Sequence, residues 1–219
     1  MDWSIRYSYK KGISDPPLYI NSLLSSLISF HLPLSALMPS FYCLLVVVLL
    51  SAAGTSSRPN VDNVPEFARW LVHKGKWGVI SFNSLVFVPQ GYIASYADAG
   101  TGSPYFYLST LDPVGMVVPT DARASLTVSE ISFDGCGGQE AQNPSCAKIS
   151  LSGELLMLPG DSEEGLKAER ALFKAHPSFS GFPKMNGTFA VYKLIVDEIF
   201  LVNKMAPPRS LSVEEYFEA

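Results

Sequence analysis

The sequence predicts a mainly β domain with a few helices (α+β), built as an antiparallel barrel or sandwich. Three observations carry this. Past Gly75 the chain breaks into short β-branched and aromatic runs divided by turn residues, near 77–82, 85–88, 91–96, 105–111, 123–133, 147–157 and 188–202. The early runs lie too close together to fit the helical crossovers that parallel strands require. Finally, 47% apolar and 16% charged residues in a chain of 219 suit one folded domain rather than disorder.

The helices read as follows. Val64, Phe67, Ala68, Leu71 and Val72 recur at i, i+3, i+4, i+7 and i+8, one face of a helix of about three turns. Asp62 or Asn63 caps it, Pro65 suits its first turn and Gly75 its end. A short helix opens at Asp112-Pro113 and closes by Pro119. A third has Asp161 as cap and Glu164 three residues on, with Ala168, Ala171, Leu172 and Ala175 at helical spacing, and stops at His176-Pro177. Ser212 and Glu215 form a capping-box pattern for a last turn.

Before these elements lies a different texture. FYCLLVVVLL, residues 41–50, is followed by Ser51-Ala52-Ala53-Gly54. Ten apolar residues are about half of what a membrane-spanning helix needs, whereas a short apolar region before small residues is how a secretory leader ends. The expected organisation is an upstream extension at 1–37, a signal peptide at 38–53 starting from Met38 and cut after Ala53, a flexible linker at 54–61, and one domain at 62–219. Pro33, Pro39 and His31 interrupt the upstream apolar segment, so no stable membrane span is expected in the mature chain.

Cysteines agree with export. Cys43 falls in the leader, which leaves Cys136 and Cys146 on either side of a stretch rich in Gly, Asn and Pro. In an oxidising compartment they predict a disulfide worth about 2–3 kcal/mol. No CxxC pair or nearby His supports a metal site, so none is expected. Asn186-Gly187-Thr188 is a glycosylation sequon, while Asn143-Pro144-Ser145 is blocked by its proline.

Composition also narrows function. The chain is acidic, with a formal net charge of −4, and its only basic cluster is His73 to Lys76. Nucleic acid is therefore not an expected partner. No GxSxG elbow, HExxH pair or P-loop occurs, and His73 and His176 both fall at predicted helix ends, where a cation suits the dipole. Asp197 and Glu198, adjacent in a strand, should point to opposite faces and serve as solvated surface. No catalytic residue is assigned.

A resemblance then becomes specific. ARWLVHKGKWGVIS (68–81), GSPYFYLSTLDPVGM (102–116), ARASLTVSE (122–130), CAKISLSGELL (146–156), LFKAHP (172–177) and SVEEYF (212–217) closely resemble the CREG family of secreted glycoproteins. The blocks run in order from about Ala68 to the C-terminus. The resemblance implies a split β-barrel of the FMN-binding type related to pyridoxamine-phosphate oxidases, and usually a homodimer. It also implies secreted or endolysosomal residence and a role in growth and differentiation, exerted through a protein partner or receptor, with no established reaction.

In flavin-binding relatives the aromatic strand runs into a pattern like FYTNxxSRKG, whose hydroxyl and cations hold the flavin phosphate. Laid on it, Phe106-Tyr107-Leu108-Ser109 keeps the strand and Gly115 the glycine, while Asp112, Pro113 and Val114 replace Ser, Arg and Lys. A phosphate there loses charge-assisted hydrogen bonds worth about 1.5–3 kcal/mol each and meets a carboxylate. The expectation is a degenerate FMN phosphate site at Ser109, Asp112, Pro113, Val114 and Gly115 and no bound cofactor, unless Arg123 or Lys76 supplies charge from elsewhere. The alternative is an FMN-dependent oxidoreductase.

Overall fold

The structure is a computed structural model and describes residues 57–182 and 188–219. The expected extension, leader and glycosylation site Asn186 lie outside these residues.

In chain order the elements are α1 (Val64–Lys74), β1 (Trp77–Asn83), β2 (Pro89–Ala97), β3 (Tyr105–Ser109), α2 (Pro113–Val117), β4 (Arg123–Ser129), β5 (Lys148–Met157), α3 (Glu163–Ala175), β6 (Phe189–Val202), β7 (Arg209–Leu211) and α4 (Val213–Phe217). Single 3-10 turns follow β4, at Glu130–Phe133, and α3, at Pro177–Gly181. The strands pair antiparallel in the order β3-β2-β1-β4-β5-β6-β7, and β3 also pairs β6. That last pairing closes β1 to β6 into a barrel and leaves β7 as a short extension on β6, so the barrel itself has no free edge.

Alternation along each strand fills the interior. Ile80, Phe106, Leu126, Leu151, Leu194 and Ile199 are fully buried. α1 presents Val64, Phe67, Ala68, Leu71 and Val72 to this core, the face read from the periodicity. α3 instead covers the outside of the barrel, where Ala168 and Leu172 pack with Tyr105, Leu158, Phe179 and Val191 in a smaller cluster. The capping box at Ser212 and Glu215 is present, and the buried Tyr216 hydroxyl donates to the Gly102 carbonyl at 2.9 Å.

Several expectations need correction. Residues 85–88 are a hairpin loop: Asn83 pairs with Pro89, Phe87 N donates to Ser84 O at 2.8 Å, and Phe87 has φ 59°. Their β-branched composition suggested a strand, but these side chains have no sheet to pack on. The expected strand 123–133 ends at Ser129, whose hydroxyl accepts from Ile131 N and starts a 3-10 turn. The expected strand 105–111 ends at Ser109, where Asp112 takes over the backbone. Ser162, not Asp161, caps α3 by accepting from Gly165 N. Asn63 occupies the cap of α1 without a side-chain bond to the helix backbone. Gly75 ends α1 in extended rather than left-handed backbone; a Cβ there would lie 2.5 Å from the Tyr96 hydroxyl, so close packing requires the glycine.

Asp197 and Glu198 do not point to opposite faces. Ser152 pairs with Glu198 and Gly153 with Val196, so Asp197 is the extra residue of a β-bulge and both acids are exposed. Gly153 permits the bulge, since a Cβ would fall 1.8 Å from the Ile195 carbonyl oxygen.

The last residues of the stretch read as linker are held to the domain. Arg58 reaches Glu130 and Asn203 Nδ2 donates to the Val61 carbonyl at 2.7 Å, while just beyond the stretch Lys204 pairs with Asp62. Cys136 and Cys146 form a disulfide with Cα atoms 4.8 Å apart. No helix among the described residues is long and apolar enough to cross a membrane.

Candidate functional site

The turn between β3 and α2 brings Ser109, Asp112 and Gly115 together. At the end of β3, Ser109 N donates to Asp112 Oδ2 at 3.1 Å. At the start of α2, Gly115 N donates to Asp112 Oδ1 at 2.8 Å. One carboxylate thus takes the two backbone donors that face each other across the turn, acting as the cap of its own helix. The Ser109 hydroxyl is also engaged, accepting from Leu111 N at 3.1 Å. Asp112 has the further effect of helping to raise the pKa of the Tyr192 phenol, after burial as the larger cause.

The other two positions are turned to different tasks. Val114 is 1% exposed and belongs to the barrel core, while Pro113 is exposed and has no N–H to offer. Gly115 packs against β3 so closely that a Cβ would meet the Ser109 carbonyl oxygen at 2.1 Å. Its role is contact between strand and helix rather than room for a ligand.

Beside this turn lies a cleft of about 180 Å³, floored by Tyr92 to Ser95 of β2 and Tyr107 to Ser109 of β3. Phe179, Phe182 and Phe189 line its remaining wall, and they pack on one another at 5.1–5.4 Å. Tyr107 stacks on Phe189 at 5.1 Å and an interplanar angle of 20°. Sequence reasoning did not find this aromatic wall, although the run from Phe179 to Phe189 is where a signal lay. Neither Arg123 nor Lys76 lines the cleft. Arg123 is paired through Nε and Nη2 with Asp121, both at 2.8 Å, and lines a separate groove on the outer face of β1, β4 and β5.

The cleft beside the turn is small and lacks a phosphate grip among the described residues. Pockets for cofactor-sized molecules run from about 300 Å³ upward, no cation lines this cleft among the described residues, and Asp112 takes the backbone donors at the turn. Both histidines among the described residues have polar partners: His73 Nδ1 lies 3.0 Å from Asp98 Oδ1, and His176 Nε2 lies 2.9 Å from the Tyr96 carbonyl oxygen. Asp112→Ala is expected to cost about 1–2 kcal/mol in urea unfolding, because Ser109 N and Gly115 N lose their shared acceptor, with Asp112→Asn intermediate.

A closed antiparallel barrel with helices outside it and an aromatic strand running into a short capped helix defines the split-barrel class of flavin-binding-type folds. Within that class, the model of the family described as "CREG, beta-barrel" matches residues 59–218, and the chain belongs to this family. It is 29% identical to Protein CREG1 of Mus musculus over 169 residues, covering 73% of this chain and 76% of that one. It is 29% identical to Protein CREG1 of Gallus gallus over 185 residues, 79% of this chain and 95% of that one. Among solved structures it is similar to a heme binding protein from Mycobacterium smegmatis, with TM-score 0.61 and 21% identity, covering 74% of this chain and 62% of that one. ChuZ of Campylobacter jejuni has TM-score 0.56 and 10% identity, covering 81% of this chain and 70% of that one. Likeness at these identities speaks for the fold.

Proposed function

We propose that this protein works by binding other proteins, as a homodimer in the secreted or endolysosomal space, without turning over a substrate. By family it is linked to control of growth and differentiation. The observation that carries the reading is the Asp112 carboxylate: the place where a split barrel would grip a cofactor phosphate is held by the protein's own anion, and the adjoining cleft is walled by phenylalanines. What the fold displays instead is an apolar exterior on the β1–β2 hairpin. Val86, Phe87 and Ile93 are 76%, 70% and 69% exposed, and Val79 pairs directly with Ile93 on the same outer surface. Exposed apolar area of this kind marks interaction surfaces, and a two-fold pairing of the hairpins would cover it.

The test combines absorbance with light scattering on purified full-length protein. The expected result is a colourless dimer that takes up no FMN and oxidises no nicotinamide cofactor. A yellow protein with stoichiometric FMN, or robust cofactor-dependent turnover, overturns the non-catalytic reading. A monomer mass over a wide concentration range overturns the dimer.

A further inference from the structure

We infer that a second cleft, which shares the stacked Tyr107 and Phe189 as a wall with the first, binds a small organic cation: a protonated amine carried on a flat apolar body. This cleft measures about 400 Å³, inside the range of about 300–1,000 Å³ typical of small-molecule sites. It is bounded by β3, by the turn from β5 into α3, and by the start of β6. Met157, Leu158, Phe189 and Val191 make it apolar, and Glu169 of α3 is the only charged residue in its lining among the described residues.

The chemistry of the ligand follows from Glu169. Another carboxylate of α3, Glu164, is taken by Lys193 at 2.7 Å and by the Tyr105 hydroxyl at 2.8 Å. Glu169 enters none of the ion pairs among the described residues. Its charge is felt inside the cleft, where it adds to burial in raising the pKa of the Tyr107 phenol. An apolar body filling the cleft strips water from this carboxylate, which is costly unless the ligand supplies a compensating charge. An ammonium does so with a charge-assisted hydrogen bond, a neutral isostere does so weakly, and an anion is repelled. The stacked ring of Phe189 and the phenol of Tyr107 offer faces for an aryl group and, at their edge, for the cation.

Calorimetric titration of the intact protein at neutral pH with 2-phenylethylamine, 2-phenylethanol and 3-phenylpropionate tests this. The amine is expected to bind about ten-fold more tightly than the alcohol, and the propionate not at all. Glu169→Gln should level the amine with the alcohol. A second variant probes the cleft independently of charge: Gly160 lines it and a Cβ there meets nothing within 4 Å, so the backbone accepts a side chain at this position, and Gly160→Leu should weaken amine and alcohol alike. The proposal fails if the amine gives no binding heat, if it binds no better than the alcohol, if its advantage survives Glu169→Gln, or if Gly160→Leu leaves both affinities unchanged.

Discussion

Arg58→Leu is expected to destabilise the domain by about 3–5 kcal/mol, the cost of leaving a buried charge without its partner. Glu130 is completely buried. Its Oε1 accepts from Arg58 Nε at 2.6 Å, and its Oε2 accepts from Arg58 Nη2 at 3.1 Å and from Ala147 N at 3.0 Å. The guanidinium also lies over the Phe67 ring, 4.9 Å from its centroid. The pair as a whole need contribute little, because desolvation of both charges offsets their attraction. The large effect comes from removing one member only. Urea unfolding of Arg58→Leu should show a lowered midpoint with an unchanged slope, and adding Glu130→Gln should recover much of the loss. A single variant within 1 kcal/mol of the parent would mean that Glu130 relaxes to water at little cost, contrary to this account.

Replacing Cys136 and Cys146 together by serine is expected to cost about 2–3 kcal/mol, from the entropy returned to the unfolded chain, while the barrel stays intact. The loop they close has little apolar surface and uses left-handed backbone at Gly137 and Gly138, as does Asp134 just before it. Its root is held independently: Glu130 N donates to the Ala147 carbonyl at 2.9 Å, and Lys148 Nζ donates to the Ala141 carbonyl at 2.7 Å. Thermal unfolding should report the loss, with the near-ultraviolet signal of the folded state kept. Thiol labelling of the unreduced, denatured protein is the direct check on the bridge: two freely reactive cysteines would rule it out.

The helices were the most legible part of the sequence. The apolar stripe of α1 and the capping box of α4 are local patterns, encoded within a few residues and independent of where the rest of the chain lies. Strand content was legible too, but not its limits. A β-branched run such as Leu85 to Val88 reads as a strand wherever it occurs, and only the pairing of Asn83 with Pro89 turns it into a loop. The bulge at Asp197 is likewise a property of two strands: it arises where β6 carries one more residue than β5 can pair.

At the candidate site the sequence determined that Asp112, Pro113 and Val114 carry no cation, since charge is a property of residue type. It also placed two cysteines 10 residues apart, near enough to bridge, because short loops close readily. Tertiary structure decided the rest. The use of Asp112 as the acceptor for both Ser109 N and Gly115 N depends on how β3 meets α2. The wall of Phe179, Phe182 and Phe189 exists because the turn after α3 folds back across β2 and β3. The pairing of Arg58 with Glu130 joins residues 72 positions apart. Each of these depends on groups distant in sequence reaching hydrogen-bonding or van der Waals range, and that distance is set only when the barrel closes.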